Sequence, residues 1–94
     1  MNVESVIIPQ NIEDKLESKH NVTRREVEQV FNSRPRFRFA EKGRVRGEHL
    51  YRAIGQTSGG RYLVIFFILK ANRAALVISA RDLTATERKQ YGSK

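Results

Sequence analysis

The chain contains no cysteine among its 94 residues. That excludes a disulfide scaffold, a zinc finger and a thiol nucleophile, and makes a reducing, cytoplasmic setting the expectation. Histidine is almost as scarce. His20 and His49 stand alone, with no carboxylate at a ligand-like spacing from either, so neither a metal nor another cofactor is expected. No long apolar run is present. The longest, Tyr62 to Leu69, is too short to span a bilayer, and no basic amphipathic helix is long enough to lie on one. Glu4 and Pro9 occupy the region where a secretion signal needs a basic start and a longer apolar stretch, so no targeting segment is expected. There is also no GxSxG, no phosphate-binding glycine-rich loop before a helix, and no close carboxylate pair in an apolar setting.

Acidic side chains are the other shortage. Ten Asp and Glu face 18 Lys and Arg, a formal charge of +8. On a chain this small, that charge points to nucleic acid, an anionic surface or an acidic protein as partner. The membrane is the weakest of these. Residues 1–94 are expected to form a single domain, which at this size buries roughly 60–65 % of its unfolded surface.

Much of the apolar content lies in one hairpin. Tyr62 to Leu69 is rich in β-branched and aromatic residues, flanked by Gly59-Gly60 and Ala71-Asn72, and reads as a central strand buried on both faces. Ala74 to Arg81 is its return strand. Upstream, Val3 to Ile8 is a short edge strand closed by Pro9. Asn11 is the expected cap of a first helix running to His20, with Asn21 as its left-handed stop. Thr23 and Glu26 form a capping box, with Val22 and Val27 at the positions of a hydrophobic staple. The second helix buries Val27, Val30 and Phe31 and ends at Asn32-Ser33 before Pro35. Arg36 to Phe39 alternates charge and aromatic as a half-buried strand does. A basic loop over residues 41–47 and a strand from His49 to Ile54 follow. Thr84 and Glu87 make a second capping box, opening a short helix through Tyr91. The expected class is α+β: a short strand, two helices, a four-stranded antiparallel meander and a C-terminal helix. The second face of the central strand then requires a cover, either that helix or a partner protein.

The chemistry must come from the basic residues. From Arg34 to Arg52 the chain carries Arg34, Arg36, Arg38, Lys42, Arg44, Arg46 and Arg52 against only Glu41 and Glu48. Arg36 and Arg38 share one strand face, which can hold phosphates or stand simply as a solvated charged face. Arg52 lies in period two with Leu50 and Ile54, so it needs a partner, a carboxylate such as Glu48 or a bound anion. Arg81, aligned with Val77 and Ser79, raises the same choice between internal salt bridge and phosphate clamp. His20 is either a capping histidine or a proton carrier. Tyr91, three residues after Arg88, either stacks on a base or docks its helix.

Taken in order, these stretches resemble the BrnT family of bacterial toxins, which are partners of BrnA-type antitoxins and related in fold to RelE-type ribonucleases. The likeness rests on Lys19-His20-Asn21-Val22-Thr23 with Glu26-Val27 and Val30-Phe31, on Glu48 to Gly55 followed by Gly60 to Val64, and on Ile78-Ser79-Ala80-Arg81 with Glu87-Arg88 and Tyr91. Asn21 departs from it, standing where glycine is usual. The resemblance implies a metal-independent endoribonuclease that cleaves RNA, blocks translation and is neutralised by a BrnA-like antitoxin. It also implies that promoter DNA is bound only through the antitoxin complex. On that reading His20, Arg52, Arg81 and Tyr91 are the catalytic candidates. Lys19, Arg36, Arg38, Arg44, Arg61 and Arg88 would hold the RNA. Two alternatives stand beside it: a non-catalytic nucleic-acid-binding or regulatory module using the same basic face, and a purely protein-binding subunit for an acidic partner.

Overall fold

The computed structural model describes residues 1–92. Strand β1 (Ser5–Ile7) is followed by helices α1 (Gln10–His20) and α2 (Arg24–Asn32). Strands β2 (Arg36–Glu41), β3 (Leu50–Gln56), β4 (Tyr62–Leu69) and β5 (Ala74–Asp82) come next, and helix α3 (Ala85–Gly92) completes the order. β2 to β5 form the expected antiparallel meander. The sheet, however, has five strands in the order β1-β5-β4-β3-β2, and it is mixed. β1 runs parallel to β5, pairing Ser5 with Ala74, Val6 with Ala75 and Ile7 with Leu76. The expectation of a four-stranded, wholly antiparallel sheet is corrected accordingly. α1 and α2 carry the chain from β1 to β2 at the far edge of the sheet.

The helix boundaries follow local chemistry. α1 starts two residues earlier than expected: Pro9 rather than Asn11 is its N-cap, with no side-chain cap. The Pro9 carbonyl accepts from the N–H groups of Ile12 and Glu13. Asn21 is left-handed at φ 53°, and the Val22 N–H donates to the Leu16 carbonyl at 3.0 Å, a Schellman-type closure. The first capping box is complete. Glu26 N–H donates to Thr23 Oγ1 at 3.1 Å and Thr23 N–H to Glu26 Oε1 at 3.0 Å. Val22 and Val27 beside it are fully buried.

The core lies between the helices and one face of the sheet. Leu63, Ile65 and Phe67 of β4 meet Leu16 of α1 and Val22, Val27 and Val30 around α2. Phe31, Phe37 and Tyr51 extend this cluster through edge and stacked contacts with Phe67 at 5.4, 5.9 and 6.0 Å between ring centres. Gly55 lets the end of α2 sit on β3. A Cβ there would lie 3.0 Å from Ser33 Oγ and 3.1 Å from Val30 Cγ1.

A β-bulge changes one expectation. Phe66 pairs with Ser79 and Phe67 with Val77, leaving Ile78 as the extra residue. Val77 therefore turns into the helix-side core, fully buried with Ala80, while Ser79 and Arg81 face the other way. Arg81 does not share a face with Val77. The second face of the sheet carries Tyr62, Val64, Phe66 and Ile68, and α3 lies over the Tyr62 end of it. No described helix is long and apolar enough to cross a membrane.

Candidate functional site

Strand register builds an arginine cluster on that second face. Arg38 of β2 stands directly opposite Arg52 of β3, and Arg36 opposite Ile54. Arg52 in turn neighbours Phe66 of β4. Helix α3 closes over them, leaving a cavity of about 150 Å³ lined by Arg36, Arg38, Arg52, Ile54, Glu87, Gln90 and Tyr91. The guanidinium of Arg36 lies over the Tyr91 ring at 5.0 Å, and Arg38 Nη1 donates to the Phe37 carbonyl at 2.9 Å. Among the described residues Arg52 has neither a hydrogen-bond nor an ion-pair partner, and its Nε is buried and unsatisfied. Glu48, the carboxylate expected for it, pairs instead with Lys70 at 2.5 Å.

Among the described residues one carboxylate lines the cavity wall, and it is already committed. Glu87 accepts from both Nη atoms of Arg81 at 2.8 and 3.0 Å and from the Thr84 N–H at 2.9 Å, as the second capping box requires. Those bonds, Arg81's above all, hold its carboxyl at a pKa of about 2 instead of the usual 4.5. Arg81 thus takes the internal salt bridge, with its guanidinium also 5.5 Å from the Phe66 ring centre. Because the folded pKa is depressed, this contribution is complete above pH 4.5 and is lost as pH falls towards about 2. The ring resonances of Tyr62 and Tyr91, which pack edge-to-face at 5.8 Å, are expected to lose their dispersion across that window. Retained dispersion at pH 2 would show that α3 docks without the ion pair. Arg88 adds a stacking contact on Tyr62 at 4.1 Å.

The other candidates lie elsewhere. Arg61 opens β4 on the helix side and is fully occupied. It donates to both Asp82 oxygens at 2.7 and 3.0 Å, to the carbonyls of Asn21 and His20 at 2.6 and 3.0 Å, and to Glu26 at 3.2 Å. Its hydrogen bonds depress the Asp82 pKa, with His20 adding a smaller pull. Lys19 and His20 sit at this same junction, and neither they nor Arg61 line the arginine cavity. Arg44 belongs to a third recess, with Val45, Leu50, Ile68 and Ile78. His49 Nδ1 accepts from the Gly43 N–H at 3.1 Å and so fastens the 41–49 loop.

Sequence reasoning missed a second recess, about 420 Å³, lined by Gln29, Asn32, Ser33, Gln56, Thr57, Ser58 and Tyr91. These are neutral polar side chains from the end of α2 and the β3–β4 turn, brought together only by packing, and no motif links them. Tyr91 is the wall it shares with the arginine cavity. Among the described residues no group of three His, Cys, Asp or Glu side chains is placed to hold a metal ion.

Comparison with known families gives one match. A family model described as the ribonuclease toxin, BrnT, of type II toxin–antitoxin systems covers residues 10–87, from the start of α1 to the capping carboxylate of α3. No curated protein matches the chain.

Proposed function

The chain belongs to the BrnT family of ribonuclease toxins of type II toxin–antitoxin systems, and from that premise we propose that it is a metal-independent endoribonuclease with its RNA site in the arginine cavity. The observation that carries this is the state of Arg52. A guanidinium with a buried, unpartnered Nε, facing Arg38 across the strand pair, has no anion among the described residues to answer it. A phosphate oxygen supplies what is missing. In the reaction, the ribose 2′-hydroxyl attacks the adjacent phosphorus and gives up its proton to water, the bond to the 5′-oxygen breaks, and a 2′,3′-cyclic phosphate and a 5′-hydroxyl result. Charge gathers on the non-bridging oxygens at the pentavalent stage, where Arg38 and Arg52 stabilise it. Tyr91 is the phenol on the cavity wall and is assigned the proton delivered to the leaving oxygen. Glu87, held near pKa 2, is too weak a base to take the first proton. His20, the proton carrier suggested by sequence, does not line the cavity, and neither does Glu48.

The same reading makes the molecule a cytoplasmic inhibitor of translation with a RelE-type fold. A BrnA-like antitoxin neutralises it, and promoter DNA is bound through the antitoxin complex. A non-catalytic binding module is the second reading. It is favoured by the single cavity-wall carboxylate being tied to Arg81, which leaves binding groups in excess of proton carriers.

Purified protein incubated with 5′-labelled RNA in EDTA separates the two. The expected result is cleavage to products ending in a cyclic phosphate, suppressed steeply by salt. Intact RNA retarded on a gel would establish the binding module instead, and RNA neither cut nor retained would overturn both.

A further inference from the structure

We propose that the neutral recess beside Tyr91 is a nucleobase subsite that gives the enzyme its sequence preference; this rests on the RNA reading of the adjacent arginine cavity. The recess holds about 420 Å³, within the range of roughly 300–1,000 Å³ typical of small-ligand sites. No charged side chain among the described residues lines it, so it does not select a phosphate. Its lining instead offers an unspent set of donors and acceptors. Gln29 Oε1 accepts from the Ser58 N–H at 3.1 Å, which orients the amide and leaves Nε2 as a free donor. Gln56 Nε2 donates to the Gly60 carbonyl at 3.1 Å, leaving Oε1 as a free acceptor. These bonds settle which end of each amide is oxygen. The Asn32 side-chain amide has no hydrogen-bond partner among the described residues and contributes both functions.

Oriented amides with one donor and one acceptor to spare are the groups that read the edge of an unpaired base. The aromatic wall supplied by Tyr91 suits the base's flat face. Because Tyr91 also borders the arginine cavity, a nucleotide whose phosphate sits on Arg36, Arg38 and Arg52 has its base directed across that ring into the recess. The α2 terminus and the β3–β4 turn thus determine which base is accepted, while the β2 and β3 arginines bind any phosphate.

The test is titration of the full chain with each of the four ribonucleoside monophosphates and with ribose 5-phosphate, followed by heteronuclear NMR. The same titrations are run on Asn32→Ala and Gln56→Ala, with cleavage profiles of a randomised RNA pool in parallel. The expected result is that one base binds about tenfold more tightly than ribose 5-phosphate. Either substitution is expected to erase that preference while leaving ribose 5-phosphate binding and the urea midpoint unchanged. A wild type that binds all five ligands alike, or none, overturns the subsite, as do variants that keep the wild-type preference. Base-selective binding without RNA cleavage would refute the nuclease and leave the subsite standing. Cleavage with a profile unmoved by both substitutions would do the reverse.

Discussion

Arg61→Ala is expected to lower the unfolding free energy by about 2–4 kcal/mol, the largest stability effect of any single exposed or half-exposed side chain in the protein. Only about 25 % of the Arg61 side chain is exposed, and its guanidinium joins three separate pieces of chain. Two acceptors are carbonyls at the α1 terminus, one is the capping-box carboxylate of α2, and one is Asp82 at the end of β5. Truncation removes a donor from each of them, with only Glu26 keeping another in the Thr23 N–H, and that loss exceeds the worth of any single surface ion pair. Arg61→Lys is expected to recover little, because an ammonium cannot span acceptors arranged around a planar fork. Urea unfolding with an unchanged m-value measures the effect. The resemblance to the toxin family places Arg61 among RNA contacts. An unchanged midpoint combined with lost RNA retention would support that role over the one its bonds describe.

Arg52→Ala is expected to behave in the opposite way. Cleavage should fall by about 10²–10³-fold, the usual effect of deleting one donor to a developing oxyanion. The slope of log affinity against log salt should shrink by about one. Stability should be unchanged or slightly raised, since the substitution removes an unsatisfied buried Nε and relieves the like-charge pairing with Arg38. Single-turnover cleavage and urea unfolding on the same preparation give both numbers. A variant that unfolds easily yet cleaves at the wild-type rate would make Arg52 structural and empty the cavity of its proposed role. Arg81→Ala is a control of a different kind. It frees Glu87 and unpins α3, so any loss of activity there mixes chemistry with helix docking.

These two arginines also show what the sequence could and could not reveal. Local devices were legible because their partners lie within four residues: the boxes at Thr23–Glu26 and Thr84–Glu87 and the left-handed Asn21 all stand where the pattern put them. Devices that depend on distant chain were not. Arg52's lack of a carboxylate follows from Lys70 claiming Glu48 across the sheet. Arg61's six side-chain bonds draw on His20, Asn21, Glu26 and Asp82, a set no spacing rule assembles. The bulge at Ile78 reversed the facing of Val77 relative to Arg81, because a period-two reading carries no signal for one inserted residue. The basic second face was foreseeable from charge alone, whereas the amide recess was not, since Gln29, Asn32 and Gln56 have no collective signature in sequence.

The pairing of β1 with β5 sets the timing of assembly. Ser5 meets Ala74, so β1 stays unpaired until β5, four strands later in the order, is in place. Contacts of such long sequence separation close late and slow the overall folding rate. The meander from β2 to β5, held by adjacent hairpins, is free to form earlier, with β1 arriving last beside an already paired β5. That order makes the closing of the β1–β5 edge the last step in completing the sheet.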